Sequence, residues 1–336
     1  VPAERARPAV VAVTDDLDRL LGGKKATDGN GHLPADAGLI TDAAMLTAQR
    51  TPWQSVQLAR ELKRPHAIEV IDGLFDKFQE LHGDRGYRDD PAVVGGIAEL
   101  DGVGPVVVVA QQRGSTTEEN IARSFGMPYP EGYRKAIRLY RMAEKFHLPL
   151  VTLVDTPGAY PGPEAEERGQ AEAIAKSIAT MCGLQTPIVA VILGEGGSGG
   201  ALALAVGDVV LALQNAIYSV ISPEGAAAIL WRSATEAEKA ANALKLAASD
   251  LLRLGIVDGL IPEPAGGAHT DPQATITAIK SAIIVQLDRL GRVPIADLLS
   301  ARYERYRHIG VVVEPVPGAV PVKRSEPFWR RMLRPT

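Results

Sequence analysis

The sequence contains a single cysteine, Cys182, among 336 residues. An internal disulfide and a zinc site built from several cysteines within this chain are therefore excluded. The formal net charge is only -4, which argues against nucleic acid or an anionic membrane as the main partner. The longest apolar runs, such as residues 106–110 and 188–193, are too short to span a bilayer, and no signal-peptide pattern begins the sequence. We therefore expect a cytoplasmic protein without a membrane span.

What the sequence does have is enough apolar material for one large domain or two smaller ones, because 46% of its residues are hydrophobic. Its central part alternates short aliphatic runs with helical stretches, which indicates an α/β fold with largely parallel strands. The predicted strands contain residues 93–94, 106–110, 150–154, 188–193 and 209–213. The predicted helices contain residues 53–63, 68–81, 131–146, 170–181 and a segment that begins at Gly199.

After Ser222 the pattern becomes mainly helical. Ser222 and the proline after it predict a helix start, and Ser233 with Glu236 predicts a capping box for a long helix that ends near Gly255. A further helix is expected near residues 271–290. We divide the chain into an N-terminal arm (1–50, with a short helix near 16–21), a central domain (51–292) and a C-terminal extension (293–336) that is partly helical and then proline-rich.

The strongest local signal is the glycine-rich segment 194–201, directly after the predicted strand 188–193. Its five glycines are Gly194, Gly196, Gly197, Gly199 and Gly200. Glycine allows a backbone to approach a ligand without a Cβ atom, and a helix that begins there presents free N–H groups to negative charge. The segment therefore predicts an anion-binding turn, whereas the structural alternative is a tight turn that packs a helix on the sheet.

The same segment satisfies the G-x-S-x-G pattern, with Ser198 as a candidate nucleophile of a hydrolase. That hypothesis needs a base, and the candidate is His269, which follows in the expected order. A phosphate-binding P-loop is disfavoured because no Gly-Lys-Ser/Thr ending is present. Cys182 is expected to be an inert small residue in helix packing.

Two further segments can contribute to a site. Residues 155–162 follow the predicted strand 150–154 and contain Asp155, Gly158, Ala159 and Tyr160 in a loop that proline and glycine keep out of a helix. Ligand crevices in such sheets lie at the carboxyl ends of the strands, so this loop can line one. Residues 124–135 mix aromatics, prolines and basic residues, and either guide a ligand or partner or form a structural loop.

Taken together, these segments resemble the alpha subunits of the bacterial and plastid type of acetyl-CoA carboxylase carboxyltransferase. The motifs occur in the family's order over roughly residues 51–290, which makes a chance match very improbable. They comprise residues 52–54, 57–60, 83–85, 94–98, 125–128, 130–136, 155–162, 165–170, 194–201, 218–225, 261–264 and 266–269.

The resemblance implies a crotonase-like spiral of ββα units with added helices. It implies transfer of a carboxyl group from carboxybiotin to acetyl-CoA, giving malonyl-CoA, the first committed step of fatty acid synthesis. Biotin would be carried on a biotin carboxyl carrier protein loaded by biotin carboxylase, not on this chain. A carboxyltransferase beta subunit would complete an alpha-2 beta-2 assembly, bind acetyl-CoA and hold the family's zinc, so that no metal is expected here.

By the same resemblance, the backbone amides of Gly199 and Gly200 should hold the biotin oxyanion. The substrate-binding residues would be Gly196, Gly197, Ser198, Gly158, Ala159, Tyr160 and Arg113. The chain departs from the family in its N-terminal arm, its proline-rich end and the weakly basic loop 111–117, in which Arg113 is the clear cation.

Three alternatives stay open at this point. The first is a self-sufficient crotonase-like acyl-CoA hydratase, decarboxylase or thioesterase, which would need an acid/base pair such as Glu164 with Glu195. The second is a serine hydrolase that uses Ser198. The third is a scaffold subunit without chemistry of its own, for which the glycine-rich turn would have no purpose.

Overall fold

The computed structural model describes residues 38–46 and 50–310, so the helix expected near residues 16–21 lies outside it. Eight strands form one sheet: β1 (Lys77–Glu80), β2 (Val93–Leu100), β3 (Gly104–Gln111), β4 (Leu150–Thr156), β5 (Ile188–Gly197), β6 (Val209–Leu213), β7 (Ile217–Ser219) and β8 (Gly259–Ile261). The helices before β5 are α1 (Pro52–Ala59), α2 (Ala67–Leu74), α3 (Thr117–Ala122), α4 (Pro130–Phe146), α5 (Pro163–Glu167) and α6 (Gln170–Gly183). Those after it are α7 (Ser198–Ala205), α8 (Pro223–Trp231), α9 (Ala237–Leu244), α10 (Ala248–Arg253), α11 (Pro272–Leu290) and α12 (Ile295–Arg307).

The sheet has the order β1-β2-β3-β4-β5-β6-β8, and β7 pairs with the end of β5. All pairs from β3 onward are parallel, whereas β1, β2 and β3 form an antiparallel meander. The largely parallel α/β architecture expected from the alternation is therefore confirmed, and each aliphatic run used for it lies in a strand.

The middle of the sheet is buried on both faces. Every residue of β4, β5 and β6 is buried, which is typical of parallel strands that helices cover on each side. The helix α4 packs against β2 and β3, and α11 packs against β5. This burial explains why the strand sequences are continuous aliphatic runs rather than alternating ones.

The predicted helix 68–81 is wrong in its second half. The helix α2 ends at Leu74, and Phe78 lies in β1, where it pairs with Ala98 of β2. The spacing of Phe75, Phe78 and Leu81 fits a helix face, but pairing with the neighbouring strand decides the structure of a short ambiguous segment.

The single long helix predicted after Ser233 is also wrong. The chain forms α9 and α10 there, separated at Lys245, whose φ of 53° ends α9. Ser233 contacts the Thr235 hydroxyl and caps no helix, so the predicted capping box is absent. The helix start at Ser222 is confirmed, because its hydroxyl accepts a hydrogen bond from the Gly225 amide.

Two smaller predictions, on the end of the first helix and on the surroundings of Cys182, are also wrong. The helix predicted over residues 53–63 ends at Ala59. Cys182 does not lie in helix packing, because α6 exposes it to solvent. Within residues 38–46 and 50–310, no helix combines the length and the apolar character needed to cross a membrane.

Candidate active site

The two segments singled out from the sequence lie side by side at the carboxyl ends of β4 and β5. These strands are parallel neighbours, with Val154 opposite Ile192. Beyond a register shift, Thr156 pairs with Gly196. The loop after β4 and the glycine-rich turn after β5 therefore form one site at one edge of the sheet, where crevices of α/β sheets are found.

Close backbone approach explains two of the glycines. A Cβ atom on Gly200 would lie 2.7 Å from the Gly158 carbonyl carbon and would also collide with the Ala159 amide. A Cβ atom on Gly197 would collide with the Pro157 carbonyl. The predicted site residues of the two segments are thus brought into direct contact, and no larger residue fits at positions 197 and 200.

Gly199 lies in different surroundings. A Cβ atom there would meet only Ile174, at an ordinary 3.5 Å, and the residue is partly exposed. It lies in the first turn of α7, which begins at Ser198 and is capped by no side chain among the described residues. The first backbone N–H groups of α7 are therefore available to an acceptor from outside, as an anion-binding turn requires.

Ser198 is exposed and has a φ of 55°, between β5 and α7. This strained strand-to-helix turn is the geometry that a hydrolase nucleophile needs. The required base is missing, however, because no described histidine is hydrogen-bonded to Ser198. The imidazole Nδ1 of His269 is buried without a partner in the described part of the chain.

Asp155, which is buried at the end of β4, stabilises the glycine-rich turn. Its carboxylate accepts a hydrogen bond from the Glu195 amide (3.0 Å), and it lies 3.4 Å from His66 Nδ1 and 3.6 Å from Arg113 Nη1. Burial alone would raise the pKa of Asp155, but Arg113 and His66 outweigh it and hold the pKa below its ordinary value. A charged Asp155 therefore ties the ends of β4 and β5 together.

The Glu195 side chain is buried between two arginines. It lies 2.7 Å from Arg60 and 3.3 Å from Arg113, and Arg60 also binds Glu224 of α8. Arg113 is thus engaged by carboxylates behind the turn. A fully buried arginine, Arg64, donates to the Leu193 carbonyl of β5.

Sequence reasoning missed Arg60, Arg64 and His66 as parts of this network. Arg60 appeared only as part of a family motif, and nothing in the spacing of the arginines distinguishes buried from solvated ones. Their carboxylate partners are 135 and 199 residues away in the chain, at Glu195 and Glu263. Only the fold brings such groups together.

The third segment, residues 124–135, packs on the loop after β4. Tyr160 donates its amide to the Pro128 carbonyl (3.0 Å), and its ring stacks on Tyr129 with centroids 4.1 Å apart. The Tyr129 hydroxyl is bonded to Glu164. Glu164 therefore faces the tyrosines while Glu195 faces the arginines, so the acid/base pair considered above is not assembled.

Two buried polar side chains enclose Gly200 from the core side. Gln111 donates from Nε2 to the Gly200 carbonyl (2.8 Å), while its Oε1 atom has no partner among the described residues. The Tyr133 hydroxyl is also buried and unpaired, and it would lie 2.9 Å from a Cβ atom on Gly200. In the described part of the chain, no group of three histidines, cysteines or carboxylates could hold a metal ion.

Comparison with known proteins adds the following findings. The family described as "Acetyl co-enzyme A carboxylase carboxyltransferase-like" matches residues 40–310. The acetyl-coenzyme A carboxylase carboxyl transferase subunit alpha of Thermus thermophilus is 58% identical over 265 residues, covering 79% of this chain and 84% of the relative. The subunit of the same name from Staphylococcus aureus is 49% identical over 279 residues, covering 83% and 88%.

Among solved structures, transcarboxylase 12S with methylmalonyl-coenzyme A and methylmalonic acid bound superposes with a TM-score of 0.55 at 23% identity. The match covers 81% of this chain but only 49% of that chain. A Pseudomonas malonate decarboxylase hetero-tetramer in complex with coenzyme A gives a TM-score of 0.52 at 20% identity, covering 64% of this chain and 87% of the other. These similarities confirm the fold class, a crotonase-like α/β architecture.

Proposed function

The chain belongs to the family of acetyl-CoA carboxylase carboxyltransferase alpha subunits, and from that premise we propose that it supplies the biotin half of a shared active site. The reaction moves a carboxyl group from carboxybiotin to acetyl-CoA and gives malonyl-CoA. Biotin carboxylase loads the biotin, which arrives on a biotin carboxyl carrier protein. A beta subunit binds acetyl-CoA and completes the site in an alpha-2 beta-2 assembly.

The observation that carries this proposal is the uncapped start of α7 at Gly199 and Gly200. Two fixed N–H groups there suit an oxygen that becomes negatively charged as the carboxyl group leaves the ureido nitrogen. Because the donors belong to the backbone and are held by packing, they need no reorganisation during the reaction. Such preorganised donors are usually the largest single contribution to transition-state stabilisation.

When biotin is bound, its ureido group supplies the nitrogen that bears the carboxyl group and that can take a methyl proton of acetyl-CoA. No side-chain base is then needed, which is consistent with the absence of a histidine beside Ser198 among the described residues. The charged network explains how the chain holds its donors in place. Asp155 fixes the Glu195 amide, and Arg60 and Arg113 fix the Glu195 side chain.

The remaining predicted residues take the following positions in this proposal. Gly197 allows the turn to approach the neighbouring loop, Gly196 leaves room for the Tyr218 ring of β7, and Ser198 lies at the exposed tip of the turn. The backbone of Gly158 and Ala159 forms the facing wall, and Tyr160 anchors that wall to Tyr129. We assign Arg113 a positioning role behind the turn, because carboxylates already surround it.

The proposal is tested by the reverse reaction, the decarboxylation of malonyl-CoA in the presence of biocytin. We expect no turnover from this chain alone and turnover after the beta subunit is added. Gly199→Val should then lower kcat by about 100-fold or more, because a side chain would cover the N–H donors. The change should disturb folding less than a change at Gly200, since a Cβ atom at position 199 meets only Ile174, at an ordinary 3.5 Å. Gly200→Val should be equally inactive and also less stable.

Leu202→Ala, on the exposed side of the same helix, is the matched control and should stay within twofold of the unchanged enzyme. Turnover by the chain alone would contradict the proposal and favour a self-sufficient acyl-CoA enzyme. Labelling of Ser198 by a fluorophosphonate would instead identify a serine hydrolase.

A further inference from the structure

The turn between β1 and β2 displays arginines and a tyrosine on a rigid backbone. One carboxylate oxygen of Asp84 accepts hydrogen bonds from the amides of Gly86 (2.9 Å), Tyr87 (2.7 Å) and Arg88 (3.1 Å). The other accepts from Arg134 of α4 at 2.8 Å. Asp84 itself is buried, while Tyr87 is 64% exposed. The turn is therefore an ordered surface feature rather than a loose connection.

Strand register places this turn at the same end of the sheet as the candidate active site. β2 begins at Val93, which lies opposite Gln111 at the carboxyl end of β3. β3 is parallel to β4, and β4 is parallel to β5. The turn that precedes β2 thus lies at the edge from which the loop after β4 and the glycine-rich turn project.

A chain of ring contacts connects the turn with the active-site loop. Tyr160 of that loop stacks on Tyr129. The guanidinium groups of Arg88 and Arg168 both lie over the rings of Tyr129 and Tyr87, 5.1–5.5 Å from the ring centroids. The exposed turn and the wall of the site are therefore parts of one contiguous surface.

The turn carries positive charge that its surroundings do not neutralise. Arg134 and Arg168 of this region are paired with the buried carboxylates of Asp84 and Glu131. Among the described arginines around this turn, Arg85, Arg88 and Arg138 have no carboxylate within ion-pair distance. Burial and the neighbouring charge of Arg85 lower the pKa of Arg138, and they outweigh the opposite effect of Asp89 and Asp84.

We propose that the surface formed by Arg85, Tyr87 and Arg88 is a docking site for an acidic face of the protein that carries biotin. This inference rests on the proposed function, which requires a macromolecular carrier to reach the mouth of the site. Arginine and tyrosine are the residue types enriched at the energetic centres of protein interfaces. Unpaired exposed cations attract a partner of opposite charge and accelerate its encounter.

The carrier fits this surface better than the permanent beta subunit does. A carrier must bind and leave in each cycle, and a small charged surface favours fast, salt-sensitive association. Permanent interfaces are larger and more apolar. The strongly exposed apolar side chains Val220, Ile229 and Leu230 lie elsewhere, in and just before α8.

The test compares two carboxyl acceptors in the same complex of this chain with its beta subunit. Malonyl-CoA donates its carboxyl group to biotin and takes the biotin N–H proton at its methylene carbon, and acetyl-CoA is measured. One acceptor is the biotinylated carrier protein, and the other is free biocytin. We expect Arg85→Gln with Arg88→Gln to raise KM for the carrier on the order of 10-fold and to weaken its dependence on salt. The rate with biocytin should stay within twofold.

Arg253→Gln is the matched control, an exposed arginine on α10, which packs against β8 at the opposite edge of the sheet. It should change neither acceptor's kinetics. An unchanged KM for the carrier in the double variant would overturn the docking proposal while the biocytin reaction still supports the proposed function. A raised KM for malonyl-CoA would assign the arginines to the coenzyme A phosphates, and loss of the beta subunit would assign them to the subunit interface. Either result also overturns the proposal.

Discussion

At the scale of single residues, Tyr133 and Tyr140 form a natural comparison. Both lie on α4 and both are fully buried. The Tyr140 hydroxyl donates to the Ala203 carbonyl at 3.3 Å, whereas the Tyr133 hydroxyl faces Gly200 without a partner among the described residues. A buried hydroxyl without a hydrogen bond costs about 1–3 kcal/mol, so the fold tolerates this cost directly behind a proposed oxyanion donor.

We therefore predict that Tyr133→Phe raises the free energy of unfolding by about 1 kcal/mol, because it removes an unpaired polar group. Tyr140→Phe should lower it by about 1 kcal/mol, because it leaves the Ala203 carbonyl with one partner fewer. Urea unfolding of both variants measures the difference. If Tyr133→Phe proves destabilising, the hydroxyl has a partner, such as a buried water between Tyr133 and Gln111.

The glycines of the site could be recognised from the sequence because their number is itself the signal. Five of them in seven positions after an aliphatic run predict close backbone approach, and Gly197 and Gly200 make it. The arginines behind the turn could not be recognised. Whether Arg60 or Arg64 is buried depends on carboxylates that the fold supplies from distant parts of the chain.

At the scale of elements, the strands were predictable and several helices were not. A central parallel strand is buried on both faces and must be aliphatic along its length, which leaves a clear pattern in the sequence. In the short segment 75–81 the apolar residues recur every three positions, which fits a helix period and not the alternation of a strand. Pairing of β1 with β2 nevertheless makes residues 77–80 a strand, and that pairing depends on residues 96–99.

The helix α12 is an element that a buried arginine helps to attach to the rest of the fold. Arg302 forms two hydrogen bonds with Asp208, at 2.7 and 2.8 Å, and donates to the carbonyls of Met181, Leu184 and Thr186. Its side chain is 1% exposed, and that of Asp208 is 3% exposed. Removing the cation leaves a buried carboxylate without its counter-charge.

We expect Arg302→Met to lower the free energy of unfolding by about 3–5 kcal/mol, since breaking one side of a buried ion pair strands the other charge. Adding Asp208→Asn should restore part of this loss, because the uncompensated charge disappears. The exposed Arg307→Ala should stay within about 0.5 kcal/mol. Denaturant titrations of the variants measure these values, and a small effect of Arg302→Met would mean that water reaches Asp208.

At the scale of the whole molecule, the proposal that two subunits share the active site accounts for the groups that this chain contributes. The described part of the chain offers backbone donors, a rigid wall and a charged rim, but no assembled acid/base pair and no metal cluster. Under the proposed function, such a site stabilises negative charge on one reactant, while a second subunit supplies the site for the other reactant. This proposal fits the family to which the chain belongs.

The C-terminal boundary of the folded domain is also a property of the whole molecule. The sequence predicted a central domain of residues 51–292, and α12 of the predicted C-terminal extension makes buried contacts with that domain. Arg302 pairs with Asp208 before β6, Arg305 pairs with Asp258 before β8, and the Tyr306 hydroxyl accepts from the Gly207 amide at 2.8 Å.

We predict that a chain ending at residue 292 has a much lower thermal midpoint than one ending at residue 310, because two largely buried carboxylates lose their cations. Thermal unfolding of the two chains, each otherwise intact, makes the comparison. Equal midpoints would show that α12 is an appendage and that the unit ends at residue 292. A lower midpoint that Arg302→Met reproduces in part would show that the strands β6 and β8 depend on this helix.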